Sequence, residues 1–239
     1  MSIWGKLAGA AAGMAIGGPL GGLLGGLAGH YVIDREDESE ASGQNQVAFT
    51  VGVIALGAKM AKADGLVTRD EVIAFKEVFK VPEGEMKNLS RIFDLAKQDV
   101  LGYEAYAEQL ASLLKGNRQL LADVLDGLFH IAKADGIFHP NEEQFLAEVA
   151  KRFGFTTTEF SYIKARHISS AKRNPYEVLG ITPEIDNQAL KLHYRKLVAD
   201  NHPDKMIARG VPAEFVAIAT DKIAAINAAY EEVARERRM

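Results

Sequence analysis

Asn174-Pro175-Tyr176-Glu177-Val178-Leu179-Gly180-Ile181 decides the reading of this chain, with three segments that follow it: Tyr194-Arg195-Lys196-Leu197, His202-Pro203-Asp204-Lys205 and Ile226-Asn227-Ala228-Ala229-Tyr230. The opening segment reads as a short apolar helix with Pro at its start and Gly at its close, the asymmetry expected of helix ends. Asp186 precedes a second helix, with Leu190, Tyr194 and Leu197 on one face and Lys191, Arg195 and Lys196 elsewhere on it. Pro203 ends that helix and biases His202 away from helical angles. A third helix from about Ala213 carries Phe215, Ala219, Lys222, Ile226, Ala229 and Val233 at heptad-like spacing. Two antiparallel helices thus present a rigid His-Pro-Asp loop at their shared end.

These four motifs, in this order, resemble a DnaJ-type J domain along residues 174–239. The resemblance implies a co-chaperone that docks on a DnaK-class ATPase chaperone and stimulates its ATP hydrolysis. Carried over by position, His202, Pro203 and Asp204 form the triggering loop. Lys191, Arg195, Lys196 and Lys205 then supply a basic surface that steers encounter with an acidic partner more than it sets affinity. Tyr176, Leu179, Tyr194, Leu197, Ile226 and Tyr230 look like core. Asp200-Asn201 departs from the family pattern, where many members carry a basic or aromatic residue, and so softens the electrostatics. His139-Pro140-Asn141 is the internal contrast: it lacks the Asp and reads as the start of a helix.

Composition narrows the function class. The chain has 239 residues, 25% of them charged, a formal net charge of −4 and no cysteine. That charge argues against bulk binding to nucleic acid, and no nucleic-acid partner is expected. Without cysteine there are no disulfides, thiolate metal sites or thiol nucleophiles. There is no P-loop, no H-E-x-x-H and no G-x-S-x-G, and the six histidines are scattered. The expectation is a protein without catalytic residues or a cofactor.

The middle of the chain repeats itself. Ala61-Lys62-Ala63-Asp64-Gly65 returns as Ala132-Lys133-Ala134-Asp135-Gly136, 71 positions later. Eleven identities at that offset fall between Ala61 and Ile92, against about two expected from average composition. Val53, Leu56 and Met60 space one helix as Val124, Leu128 and Ile131 space its counterpart. About seven helices are expected between residues 47 and 168, in two related halves joined by a helix around Tyr103 to Lys115. Asp64, Asp70 and Glu71, with Asp135, Asn141 and Glu142 by repeat, offer oxygen ligands that hard cations prefer. Turn formation and helix capping account for them more simply, and no EF-hand spacing is present, so no metal site is assigned. The paired K-A-D-G turns, each followed by a helix-initiating Glu, resemble a TerB-like helical domain. That likeness implies a compact all-α module, sometimes suspected of binding metal.

The first thirty-three residues hold ten of the 22 glycines. From Leu7 to Ile33 there is no formal charge, and about 20 apolar residues suffice to cross a bilayer. Gly5, Gly9, Gly13, Gly17, Gly21, Gly25 and Gly29 recur every fourth residue, one stripe of a helix that lets a second helix approach closely. The reading is a membrane helix that contacts lipid and self-associates, with Gly9, Gly13, Gly17, Gly21 and Gly25 as the dimer face. Gly17-Gly18-Pro19-Leu20-Gly21-Gly22 as the tip of a re-entrant hairpin, or a soluble glycine-rich tail, are the competing readings. Asp34 to Glu40 carries five acids against Arg35, so a positive-inside count leaves the N-terminus in the cytoplasm.

The expected architecture is all-α. A glycine-rich anchor (1–33) and an acidic linker (34–46) lead into a TerB-like domain with two pseudo-repeats (47–168). A short linker (169–173) and the J domain (174–239) complete it. That order resembles the membrane-anchored DnaJ-like co-chaperones of bacterial inner membranes. The resemblance implies a single span with the N-terminus outside, a cytoplasmic body, a homodimer formed through the span, and unfolded or regulatory clients. The topology follows the resemblance against the weak charge count, because a J domain needs ATP and its partner. The alternative is an envelope-stress or metal-sensing adaptor, in which the TerB-like domain senses and the J domain recruits chaperone.

Overall fold

The computed structural model describes residues 3, 18–27, 40–64, 84, 86–98, 102–133, 138–167 and 173–239, and these are helical throughout with no strand among them. The elements are α1 (Gly18–Leu27), α2 (Glu40–Asp64), α3 (Met86–Gln98), α4 (Tyr103–Leu113), α5 (Arg118–Ala132), α6 (Pro140–Arg152), α7 (Thr157–Ala165), α8 (Pro175–Leu179), α9 (Asn187–Asp200), α10 (Pro203–Ala208) and α11 (Val216–Glu236), with a 3-10 turn at Ala213–Phe215 before the last.

The middle domain is built around α2. From Val47 to Ala61 every residue of this helix is buried, because α3, α4, α5 and α6 pack around it. A helix enclosed on all sides must be apolar all round, which the run Val47-Ala48-Phe49 through Ile54-Ala55-Leu56 satisfies. Thr50 and Lys59 are the exceptions: Thr50 Oγ1 donates to Gln46 O at 2.8 Å, and Lys59 is buried with its ammonium 5.0 Å from the centre of the Tyr106 ring. Close approach of α4 depends on Gly52, where an added Cβ would collide with the Leu110 side chain. The repeat is visible in the burial: Val53, Leu56 and Met60 on α2 and Val124, Leu128 and Ile131 on α5 are all in the core. Six of the expected middle-domain helices lie among the described residues, and residues 65–83 fall outside them.

Helix ends follow the local chemistry. Asn117 Oδ1 accepts from Leu120 N–H to start α5, and Thr156 Oγ1 accepts from Glu159 N–H to start α7. Pro140 opens α6 from its first turn, with Glu142 accepting from His139 N–H at 2.9 Å. In the C-terminal domain Asn174 caps α8, Gly180 closes it at φ +69°, and Asp186 accepts from Gln188 N–H and Ala189 N–H at 2.9 Å each. Gly180 is one position where the backbone does need glycine, since left-handed angles strain any residue with a Cβ.

Two boundaries differ from expectation. The acidic linker 34–46 already contains the start of α2, which begins at Glu40 and has Gln46 in the buried region. Apolar residues further along α2 propagate the helix backwards through a polar stretch that has no helix breaker. At the N-terminus only residues 18–27 of the expected span are described. The chain turns at Gly18, φ +73°, and α1 starts there with Pro19 in its first turn. Gly-Gly-Pro combines a residue free to adopt left-handed angles with one that donates no hydrogen bond, so a break falls there. Among the described residues no helix is long and apolar enough to cross a membrane. Leu20 and Leu23 are buried against the middle domain, where α1 meets α3 and α4, and Leu20 N–H donates to Gln109 Oε1 at 2.7 Å. Of the expected dimer face, Gly21 and Gly25 lie on α1, while Gly9, Gly13 and Gly17 fall outside the described residues.

Candidate functional site

The C-terminal hairpin forms as its sequence dictates. Helices α9 and α11 pack together through Leu190, Ile226, Ala229 and Val233, and Val178, Leu179 and Ile181 close the core from α8. Tyr194 and Tyr230 stack at 3.9 Å with their planes 10° apart, and Tyr194 Oη donates to Asn227 Oδ1. At the end of this hairpin stands the His-Pro-Asp segment.

His202 is extended, φ −62° and ψ 137°, and its Nδ1 accepts from the Asp204 N–H at 3.2 Å. A neutral imidazole that accepts at Nδ1 carries its proton on Nε2, so the ring offers a donor to a partner. The side chains of His202 and Asp204 are 56% and 88% exposed. One expectation needs correction. The segment does not simply bridge two helices: His202 caps, and Pro203 begins, the six-residue helix α10. The local chemistry therefore matches that of His139-Pro140, and what separates the two is context. At the matching position both Asn141 and Asp204 are exposed, but only Asp204 brings a carboxylate, and His139 starts a 13-residue helix where His202 starts one of six.

The expected basic surface divides into two parts. Lys191 and Arg195 are exposed on α9 and make no ion pair among the described residues. Leu192, 69% exposed, lies one turn from Arg195 and Lys196, so an apolar side chain sits among cations. Lys196 and Lys205, by contrast, converge on Asp200 at 2.8 and 3.5 Å. Lys196 holds the Asp200 carboxyl below the usual range, against slight desolvation and with help from Lys205. Asp200 thus pairs with two of the four lysine and arginine residues expected to form the basic surface. Asn201 is buried and donates from Nδ2 to Leu197 O at 2.7 Å, ending α9.

What the sequence reading missed is how the hairpin sits on the middle domain. Met206, Val211, Phe215, Ile218 and Ala219 belong to the middle-domain core, with Phe215 edge-on to Phe49 at 4.7 Å. The heptad stripe of α11 thus serves two cores, and Lys222 marks the change from one to the other. Its ammonium is buried 2.6 Å from Asp126 Oδ2 and 3.4 Å from Asp123 Oδ1, both on α5. Arg209 Nε donates to Asp123 Oδ2 at 2.6 Å and its Nη1 to Asp200 O, while Asn117 Nδ2 donates to Arg209 O. His167, stacked on Phe129, lies 2.8 Å from Asp126 Oδ1. Burial pushes Asp126 up, but Lys222 and the His167 bond outweigh it and hold the carboxyl far below its ordinary range. Burial dominates at Asp123, pushing it up against Lys222 and Arg209, and at His167, which it pushes down against Asp126. The signal was in the sequence as acids at i and i+3 of an apolar helix and a lysine within an apolar stripe.

Among the described residues no group of His, Asp and Glu is arranged to hold a metal ion. Asn141 is exposed and Glu142 is engaged at the start of α6. The other metal candidates, Asp70, Glu71 and Asp135, and the side chain of Asp64, lie outside the described residues.

Three families match the chain in succession. They are the co-chaperone DjlA transmembrane domain at residues 1–47, tellurite resistance protein TerB at 50–165, and the DnaJ domain at 174–238. The co-chaperone protein DjlA of Photobacterium profundum is 28% identical over 82% of this chain and 80% of its own length. Its counterpart in Coxiella burnetii is 28% identical over 84% and 82%, and that in Legionella pneumophila 27% identical over 78% and 76%. No solved structure matches. An antiparallel helix pair with an exposed His-Pro-Asp end and a cationic flank, matched by the DnaJ family, defines a J-domain co-chaperone. More narrowly, the chain is DjlA-like, with a DjlA-type membrane segment, a TerB domain and a C-terminal J domain.

Proposed function

We propose that this protein stimulates ATP hydrolysis by a DnaK-class chaperone and directs it to clients at the cytoplasmic face of the bacterial inner membrane. The observation that carries this reading is the exposure of His202 and Asp204 on either side of half-buried Pro203 at a capped helix start, beside exposed Lys191, Leu192 and Arg195. A partner can reach all of them from one side of α9, while the opposite side is committed to the hairpin core. The chain acts as a regulator, and the chemistry belongs to the partner's ATPase. The N-terminus lies outside and the body inside, because ATP and the chaperone are cytoplasmic. Lipid contact and self-association fall to the glycine-rich segment, whose small residues permit close helix approach.

The test is single-turnover ATP hydrolysis by DnaK with the full chain in detergent micelles, compared with its His202→Gln variant. Stimulation by the parent chain that the variant lacks supports the reading. Equal stimulation by both, or none from a chain that still binds DnaK, overturns it.

A further inference from the structure

Between the middle domain and the J domain runs an open cleft of about 740 Å³. One wall comes from α5 and α7, with Arg118, Gln119, Phe155 and Arg166; the other comes from α9 and α10, with Lys196, Leu197 and Lys205. Five cations line it against two carboxylates, Glu159 and Asp200. Both carboxylates are already engaged, Glu159 by Arg118 at 2.7 Å and Asp200 by the two lysines. Counting Lys222 with Asp123 and Asp126 behind the wall still leaves a surplus of two positive charges.

Two further features describe what would fit. The Arg118 guanidinium is held over the Phe155 ring at 4.5 Å and by Gly154 O at 3.0 Å, yet its side chain remains half-exposed. Its Nη2 already holds both oxygens of Glu159 at 2.7 Å, so a ligand carboxylate would meet the remaining half-exposed N–H groups of the fork. On the other wall Asn201 is buried with its Oδ1 unpartnered, an acceptor suited to a peptide N–H. Cations stand on both walls with apolar Leu197 and Phe155 between them, so the complementary ligand is extended, carries more than one negative charge and has apolar side chains. A flat lipid surface cannot enter a cleft.

We propose that this cleft receives an acidic, extended segment of the chaperone partner, so that the middle domain supplies part of the docking surface. The proposal rests on the co-chaperone reading above. Exposed charge pairs contribute about 0.2–1 kcal/mol each, so single charge changes should move affinity severalfold.

Gln119 allows a test that depends on sign. It lies on the middle-domain wall and is uncharged, so Gln119→Glu and Gln119→Lys change the field without breaking an ion pair. The probe is a fluorescein-labelled 12-residue peptide of alternating Glu and Leu, titrated by anisotropy against the full chain in detergent micelles. Gln119→Glu should weaken binding about threefold or more and Gln119→Lys should strengthen it. A Gln-Leu peptide of the same length should bind poorly. Unchanged affinity in both variants, or equal binding of the neutral peptide, overturns the site. DnaK stimulation separates this from the underlying reading. If His202→Gln abolishes stimulation while the Gln119 variants leave its half-maximal concentration unaltered, the cleft proposal falls and the co-chaperone reading stands. If the peptide responds to charge sign but the parent chain never stimulates DnaK, the cleft binds acidic peptide and the chaperone assignment falls.

Discussion

Lys222 of the J domain and Asp126 of the middle domain form an ion pair at 2.6 Å with both side chains almost fully buried. The two residues are 96 positions apart, and their contact fixes one domain on the other. A buried pair is weak evidence for net stability, but removing one partner strands the other charge.

Lys222→Met should therefore destabilise the chain by about 3–5 kcal/mol, as expected when one side of a buried pair is lost. Adding Asp123→Asn and Asp126→Asn should recover part of that loss. Urea unfolding with hydrogen exchange on α5 and α11 reads both effects. A Lys222→Met protein as stable as the parent would show that the pair contributes no more than its apolar replacement.

His167 gives the docking a pH dependence of known sign. Its pKa in the folded chain lies below the ordinary histidine value because burial disfavours the charged ring. The unfolded chain then binds the proton first, so stability is full above about pH 6.5 and falls as pH drops toward the folded value. Asp123, pushed up by burial, acts in the opposite sense as pH falls through its own range. The informative quantity is thus the difference between the parent and His167→Gln in thermal midpoint at pH 7.5 and 5.5. The parent should lose more on acidification, and parallel shifts would remove His167 from the account.

Asp200 restrains the cationic face of α9. Asp200→Asn should release Lys196 and Lys205 and raise the association rate with DnaK about two- to fivefold at low salt, since steering acts on encounter. The gain should vanish near 1 M salt, where the Debye length is about 3 Å. Stopped-flow association at two ionic strengths decides it, and a salt-independent effect would point to a change in helix structure instead.

Gly17→Leu with Gly21→Leu tests the self-association of the glycine-rich segment. Bulk at these positions should weaken cross-linking in detergent while leaving the chain in the membrane fraction. Unchanged cross-linking would place the dimer contact elsewhere or exclude one.

The local grammar of the sequence carried far. Gly180 closes α8 as expected, and Asn174, Asp186 and His202 cap the helices that follow them, because caps depend on a few neighbouring residues. The buried positions of the repeat, Val53 with Val124 and Met60 with Ile131, were equally legible from periodicity. What periodicity could not supply was the partner of each apolar face. The stripe from Phe215 to Val233 predicted burial correctly without revealing that its first half packs on Phe49 and its second on Leu190. Lys222 stood in that stripe as an unexplained charge, and its explanation lay on α5. The break at Gly18 was one of several readings of the glycine-rich segment, since regular small-residue spacing and a Gly-Gly-Pro turn overlap there.

Helix α2 begins at Glu40, inside the segment 1–47 matched to the membrane family, and carries Phe49 against Phe215 of the J domain. At 25 residues it is about 37 Å long. The J domain is consequently mounted on a strut and does not swing on a tether. A flexible leash would let the captured chaperone sample a sphere around its anchor, at a local concentration set by leash length. Docked on α2 through Phe215 and on α5 through Lys222, the J domain instead holds whatever it captures in one orientation relative to the middle domain.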